Sequence, residues 1–461
     1  MLYKKLVEDH MPDKRILYCN SVHYSYRQIN DKALALGSMW MAEGLCRGDR
    51  VVVECRDRTD TVIALLACIA YGFVFVPIEP NHDRREYILE DCCPKLIYSG
   101  GDAPEQTPVE RKILPPDTVG YIIYTSGSTS APKGVVAPFS AIIFCINAIN
   151  KRLGNCSGDR IVCILPLSFD YGLYQVFLSL SFGAELFLAD ENTTMLNLPK
   201  LCAETGATAL PVVPTMLSTL LRLHMLKQEY FRRLRYISST GETLGVDLIK
   251  KTHEALPNVQ IIPMYGLTEC KRVAVMPQGR WDKILAGSCG LPLDGVEVNI
   301  LDGADGEGEL TVRGPNVMNG YFGSIGEDDG TFCTDGEGGR YLRTGDCFSI
   351  DSEGFLYFRY RIKNIIKVGG YAVSAAEIEE KLRGLEGVLD ARIFGIPSDA
   401  YGELVCACVY TKSSDMEERV RALSKSLPQH KQIKRLKITS EPFPTNINGK
   451  VNIEALKGYF K

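Results

Sequence analysis

The sequence predicts an α/β fold: a large N-terminal body of parallel-sheet subdomains, a small β subdomain, then a small α+β C-terminal domain. Three observations carry this. Strand and helix signals alternate over the first hundred residues and resume from Tyr121 to Leu188. Short period-two runs broken by Gly, Asp and Asn fill the stretch from Leu291 to Phe358. A compact mixture of helices and strands follows Arg361, of a length that forms one small domain. At 461 residues the chain is too long for a single core.

Arg50 to Cys55 is a β-branched run, and Asp60 and Thr61 can cap a helix through Ala70 that Gly72 ends. Phe73–Ile78 and Lys95–Tyr98 read as further strands around an Arg84–Asp91 helix, a βαβαβ order that implies parallel pairing. The pattern resumes with strand Tyr121–Tyr124, helix Ser140–Asn150, strand Arg160–Leu165, helix Tyr174–Leu180 and strand Glu185–Leu188, so the α/β body is expected to run to about residue 290. Gly295–Ile300 and Gly308–Arg313 alternate with period two. The first domain is thus expected over 1–360 and the second over 361–461. In the second come helix Ala375–Arg383, strands Ala391–Ile396 and Leu404–Tyr410, helix Met416–Ser426 and strand Arg435–Thr439.

A formal net charge of -4 offers no field for nucleic acid or an anionic membrane. The most apolar stretch, Tyr171 to Ala189, contains Gln175, Gly183 and Glu185 and reads as a buried helix running into a buried strand. The charged start, Met1 to Lys5 and beyond, has no signal-peptide core. Sixteen cysteines include no C-x-x-C pair, so reduced thiols in a cytoplasmic protein are expected rather than a metal or disulfide framework.

The first chemical signal is Thr125-Ser126-Gly127-Ser128-Thr129-Ser130-Ala131-Pro132-Lys133-Gly134, directly after an apolar strand. Hydroxyls and glycine-exposed N–H groups can wrap phosphate oxygens, and lysine adds a mobile point charge. A Walker loop would run Gly-Lys-Ser/Thr into a helix; here Lys133 is followed by Gly134-Val135. Standing alone, the segment has a competing reading as a Ser/Gly-rich surface turn.

Tyr121 through Thr129 resembles the signature of the AMP-forming adenylation superfamily, which includes acyl- and aryl-CoA synthetases, luciferases and amino-acid adenylation domains of nonribosomal peptide synthesis. In order along the chain, Met264-Tyr265-Gly266-Leu267-Thr268-Glu269 resembles the adenine and magnesium motif and Tyr341 to Asp346 the ribose motif. Arg361 to Glu379 resembles the hinge, Pro444 to Lys450 the C-terminal lysine loop, and Tyr24 to Val51 the opening segment. The resemblance implies an enzyme that joins a carboxylic acid to AMP and hands the acyl group to a thiol, with a mobile C-terminal domain.

It also implies roles. Thr125, Ser126, Gly127, Ser128, Thr129 and Lys133 would hold the ATP phosphates, Tyr265 would stack on adenine, and Gly241, Glu242 and Gly266 would also belong to the ATP site. Thr268 would meet the α-phosphate, and Glu269 would hold Mg2+, a hard cation suited to oxygen ligands. Asp346, helped by Arg361, would bind ribose. Lys450 would bridge the substrate carboxylate and the α-phosphate, since a flexible stem can carry a point charge into a cleft. Lys363 would be the hinge, and Gly369 and Gly370 would line the thiol's tunnel. Ser130, Tyr360, Ala372 and Ala375 depart from residues common in the family.

By the same resemblance the acid pocket would be Asp170, Tyr171, Tyr174, Thr215, Ser238, Thr240, Met264, Arg272 and Val273. Asp170 would pair with the ammonium group of an amino acid, or else cap the helix it precedes. Arg272 could point at an acidic side chain or face elsewhere. The leading expectation is an amino-acid adenylating enzyme that loads the phosphopantetheine of a separate carrier protein. The alternatives are an acyl- or aryl-CoA synthetase using free CoA and a catalytically silent homologue.

Overall fold

The computed structural model describes the chain except residues 102–107, 126–130, 190–192, 305, 328–329, 363–364, 399–400, 446–450 and 461, and the side chains of 302–304 and 372. The chain folds as two compact units, Met1–Asn299 with Thr311–Arg343 and Asp351–Leu356, and Ile300–Leu310 with Thr344–Ile350 and Tyr357–Lys461.

The first unit holds two large sheets. One runs in the order Leu96–Tyr98, Arg50–Glu54, Val74–Ile78, Val119–Thr125, Lys133–Pro138, parallel throughout except for the last strand, which returns antiparallel. The other has nine strands. Its centre is parallel, from Gln260–Leu267 through Tyr236–Ser239, Ala209–Val212, Arg160–Cys163 and Glu185–Leu188 to Arg15–Cys19. Both ends of it are antiparallel: Cys270–Val275 folds back on Gln260–Leu267, and Val22–Ser25 on Arg15–Cys19.

Buried strands such as Val74–Ile78 and Ala209–Val212 have no exposed face, as a parallel sheet covered on both sides demands. The Arg58–Tyr71 helix between two of them is buried along most of its length. Its cap is Asp57, whose side chain accepts from the Asp60 amide, so the expected cap at Asp60 and Thr61 moves one turn earlier. Gly72 closes it at φ +81, a conformation open to glycine without strain. The apolar Tyr171–Ala189 stretch forms helix Asp170–Phe182 and strand Glu185–Leu188. No described helix is long and apolar enough to cross a membrane, and among the described residues no two cysteines are joined in a disulfide.

In the second unit, five strands run in the order Tyr371–Ser374, Ile365–Val368, Gly402–Thr411, Val388–Ser398, with Arg435–Thr439 parallel to Gly402–Thr411. Helices Ala375–Arg383 and Met416–Ser426 bury Ile378, Leu382, Met416 and Val420 in its core. Gly369 and Gly370, at φ +56 and +86, are the two-residue turn of a hairpin pairing Val368 with Tyr371, the turn that needs positive φ at both positions.

Candidate active site

The expected phosphate loop joins two paired antiparallel strands. Thr125 ends the outgoing strand and Lys133 begins the return strand, paired with it, and the Thr125 hydroxyl donates to the Lys133 carbonyl at 3.4 Å. Residues 126–130, with Ser126, Gly127, Ser128 and Thr129, lie outside the described residues, as do Lys363 and Lys450. The return strand is tied to the segment that follows Gly314: Val136 and Phe322 donate to Gly320 and Gly134, and Asn319 donates to Val136.

That tie delivers a residue sequence reading missed. The Tyr321 hydroxyl donates to Glu269 Oε1 at 2.8 Å, and the Lys133 ammonium sits over the Tyr321 ring, 4.3 Å from its centre. The phosphate-loop lysine and the magnesium-motif glutamate, 136 positions apart, are thus brought to one aromatic side chain. Met318 further donates to the Glu269 carbonyl. Tyr321 sits in no motif; its only sequence cue is an aromatic after Gly320, which is not distinctive.

Thr268 and Glu269 occupy the tight turn between strands Gln260–Leu267 and Cys270–Val275. Gly266 makes the hairpin possible: a Cβ there would lie 2.8 Å from the Arg272 amide nitrogen. The oxygen donors Thr268 and Glu269, with the glutamate oriented by Tyr321, suit a hard cation such as magnesium. Gly241, at φ +95, and Glu242 follow the Tyr236–Ser239 strand, which lies beside Gln260–Leu267, the strand that carries Tyr265.

The expected pocket residues largely converge. The Tyr171 hydroxyl is bonded to the Ser238 carbonyl and hydroxyl at 2.9 and 2.8 Å. Arg272 Nη1 donates to the Thr240 hydroxyl at 2.6 Å, and its guanidinium lies 5.3 Å from the Tyr171 ring centre. Tyr174 approaches Tyr121, hydroxyl to hydroxyl, at 3.5 Å. Met264 and Val273 are buried on the paired strands. Thr215 lies on helix Pro214–Arg222, after strand Ala209–Val212.

Asp170 differs from both expectations. It is the first residue of its helix, and the cap position before it, Phe169, makes no side-chain cap bond. Nor does Asp170 stand open to a substrate ammonium group: Lys271 Nζ lies 3.0 Å from Oδ1, with both side chains buried, and Thr268 donates to Oδ2 at 3.3 Å. A carboxylate buried here needs a cation, and the chain supplies its own. Lys271, the residue after Cys270, was invisible to motif reading because it falls outside every recognised segment. Burial pushes the Lys271 ammonium down to about 8 although Asp170 pulls it upward. Burial likewise lowers Arg272 and raises the Tyr171 and Tyr174 phenols.

In the second unit, Asp346 is buried and receives Arg361 in a fork, Nε to Oδ1 at 2.7 Å and Nη2 to Oδ2 at 3.0 Å. Glu309, which the sequence did not mark, accepts from the Gly345 amide at 2.9 Å and orders the turn before Asp346.

The chain belongs to the AMP-binding enzyme family, whose model matches residues 5–109 and 98–322. It is 28% identical to tyrocidine synthase 3 of Brevibacillus parabrevis over 97% of its own length, but spans 7% of that protein. It spans 41% of phenyloxazoline synthase MbtB of a Mycobacterium species, at 27% identity over 97% of its own length. With 4-coumarate–CoA ligase-like 4 of Oryza sativa it shares 29% identity over 80% of this chain and 70% of the relative. Among solved structures, ATP-bound MatB of Rhodopseudomonas palustris superposes with a TM-score of 0.88 at 22% identity, covering 100% of this chain and 98% of that one. The o-succinylbenzoate CoA synthetase of Bacillus subtilis with its acyl-adenylate gives 0.86 at 23%, covering 99% and 97%. The fold is therefore that of these enzymes.

Proposed function

We propose that the protein joins a carboxylic acid to the α-phosphorus of ATP and passes the acyl group to a phosphopantetheine thiol. In the first step a carboxylate oxygen attacks the α-phosphorus, the bond to the β-phosphate oxygen breaks, and pyrophosphate leaves. In the second the thiol sulfur attacks the acyl carbon and AMP leaves.

The observation that carries this reading is the turn at Thr268 and Glu269. On one side Glu269 joins Lys133 through Tyr321; on the other Thr268 touches Asp170 of the pocket cluster. Groups suited to phosphate and groups suited to an acid thus share one short segment, the juxtaposition in-line attack requires. Magnesium bound at Glu269 would supply charge neutralisation at the phosphate oxygens. Lys450 is the cation we assign to the attacking carboxylate, and Asp346 with Arg361 the ribose site.

The relatives divide between peptide synthetases and CoA ligases at comparable identity, so a carrier protein and CoA both remain acceptors to test. An amino acid would need a carboxylate for its ammonium group, and Lys271 already holds Asp170. An acid without that group is the better fit.

Acid-dependent exchange of pyrophosphate into ATP tests the first step across amino, aryl, fatty and dicarboxylic acids. Exchange is expected, and Lys450→Ala should lower it at least about a hundredfold with the fold retained. A chain that exchanges with none of these acids would contradict the reading and favour a silent homologue. Adding CoA or a phosphopantetheinylated carrier to the active reaction then identifies the acceptor.

A further inference from the structure

We infer that the acid pocket is built for a substrate with a second negative charge away from the reacting carboxylate, such as a dicarboxylic acid, which Arg272 would receive with Lys271 beside it. This rests on the acid-activating function proposed above and names its substrate class.

The first support is charge. Lys271, Arg272 and Asp170 are 2%, 3% and 6% exposed, and they pack around the same two tyrosines. Two cations share one carboxylate. Asp170 is bonded to Lys271, while the bond of Arg272 is to a neutral hydroxyl, that of Thr240. A buried guanidinium with no carboxylate bonded to it is costly unless an anion arrives to pair with it.

The second is donor geometry. Arg272 Nε is buried with no hydrogen-bond partner among the described residues. An arginine presents its donors as a planar fork matched to a carboxylate, so an idle Nε is half of such a fork.

The third is backbone. In an extended strand, successive side chains point to opposite faces, yet Lys271 and Arg272 both lie within 6 Å of the Tyr171 ring centre, at 5.7 and 5.3 Å. Arg272 has φ +60, uncommon for a residue with a side chain. That break in the alternation turns two consecutive cations to one face. Every residue of Cys270–Val275 is buried, so the strain does not serve to reach solvent. Strain of this sort, held by the surrounding structure, is found where a ligand is positioned.

Lysine beside arginine also explains why Asp170 is present. Two bare cations at this separation would repel strongly in a buried site, and one carboxylate leaves the cluster with a formal charge of +1, open to one more anion.

The test compares matched acids that differ only in a terminal carboxylate against a methyl or an amide, read by pyrophosphate exchange and by thermal shift of the wild-type protein in the presence of AMP. The dicarboxylates should exceed their neutral partners at least a hundredfold in kcat/KM and should raise the melting temperature where the neutral acids do not. Arg272→Gln should erase that preference, chiefly through KM, while Arg272→Lys, which keeps the charge, should retain part of it. Neutral or amino acids preferred by the wild type would overturn the inference and leave acid activation standing. Equal loss for every acid in Arg272→Gln would assign Arg272 a structural role and also overturn it. Exchange with no acid at all would sink the proposed function, and the thermal shift on the wild type would still decide the pocket's charge preference by itself.

Discussion

Lys271 and Asp170 form the most consequential pair of side chains outside the recognised motifs. Removing one partner of a buried pair strands the other charge, so Lys271→Met should destabilise the first unit by about 3–5 kcal/mol. Replacing both, Asp170→Leu with Lys271→Met, should recover most of that, as urea midpoints would reveal. The same pair sets a pH dependence. The groups facing Lys271 are Asp170, Tyr171 and Tyr174 from one helix, Cys145 from helix Phe139–Leu153, and Arg272 on its own strand. Its folded pKa, about 8, lies below its ordinary value of 10.5. Below about 8 both folded and unfolded chains carry the proton and the burial penalty is full. Between 8 and 10.5 the unfolded chain binds more protons, so the Lys271 contribution to stability rises with pH. Stability of the wild type relative to the double variant should therefore increase between about pH 8 and about pH 10; a flat difference would contradict the assignment.

At the scale of elements, the hairpin of Gln260–Leu267 and Cys270–Val275 carries together residues expected at adenine, at magnesium and in the acid pocket. Its close approach depends on Gly266, where a Cβ would meet the Arg272 backbone at 2.8 and 2.9 Å. Gly266→Ala should displace that backbone and cost about 1–3 kcal/mol of stability, with acid KM rising more than ATP KM in exchange assays. Helix Asp170–Phe182 makes a similar demand: a Cβ at Gly172 would lie 2.1 Å from the Pro166 carbonyl oxygen. Local signals located most elements well. Ala375–Arg383, Met416–Ser426 and Arg435–Thr439 lie where patterning put them. Ser25 and Gln28 form a reciprocal cap at the start of helix Tyr26–Ala42 that the sequence reading did not mark. The Asp170 helix begins four residues before the expected Tyr174, because periodicity alone does not mark a start that no side chain caps.

At the scale of the molecule, the two units have separate cores, and each should melt as a unit of its own. Both tryptophans, Trp40 and Trp281, lie in the first unit. Unfolding followed by tryptophan fluorescence should therefore diverge from unfolding followed by far-UV circular dichroism, which reads both units; superimposable curves would mean that they unfold together.

The AMP-binding family was legible in the sequence because its motifs are short contiguous segments: Thr125 to Lys133, Tyr265 to Glu269 and Tyr341 to Asp346 each carry their resemblance in adjacent residues. The α/β order was legible for a similar reason, since periodicity and caps are local. The acid pocket was not. Asp170, 101 positions from Lys271, could be read as a partner for an ammonium group until tertiary packing supplied its cation. Tyr321, joining Lys133 to Glu269, and the left-handed backbone at Arg272 likewise exist only in three dimensions. A charge is given its meaning by whatever the fold buries beside it, and sequence spacing does not encode that neighbour.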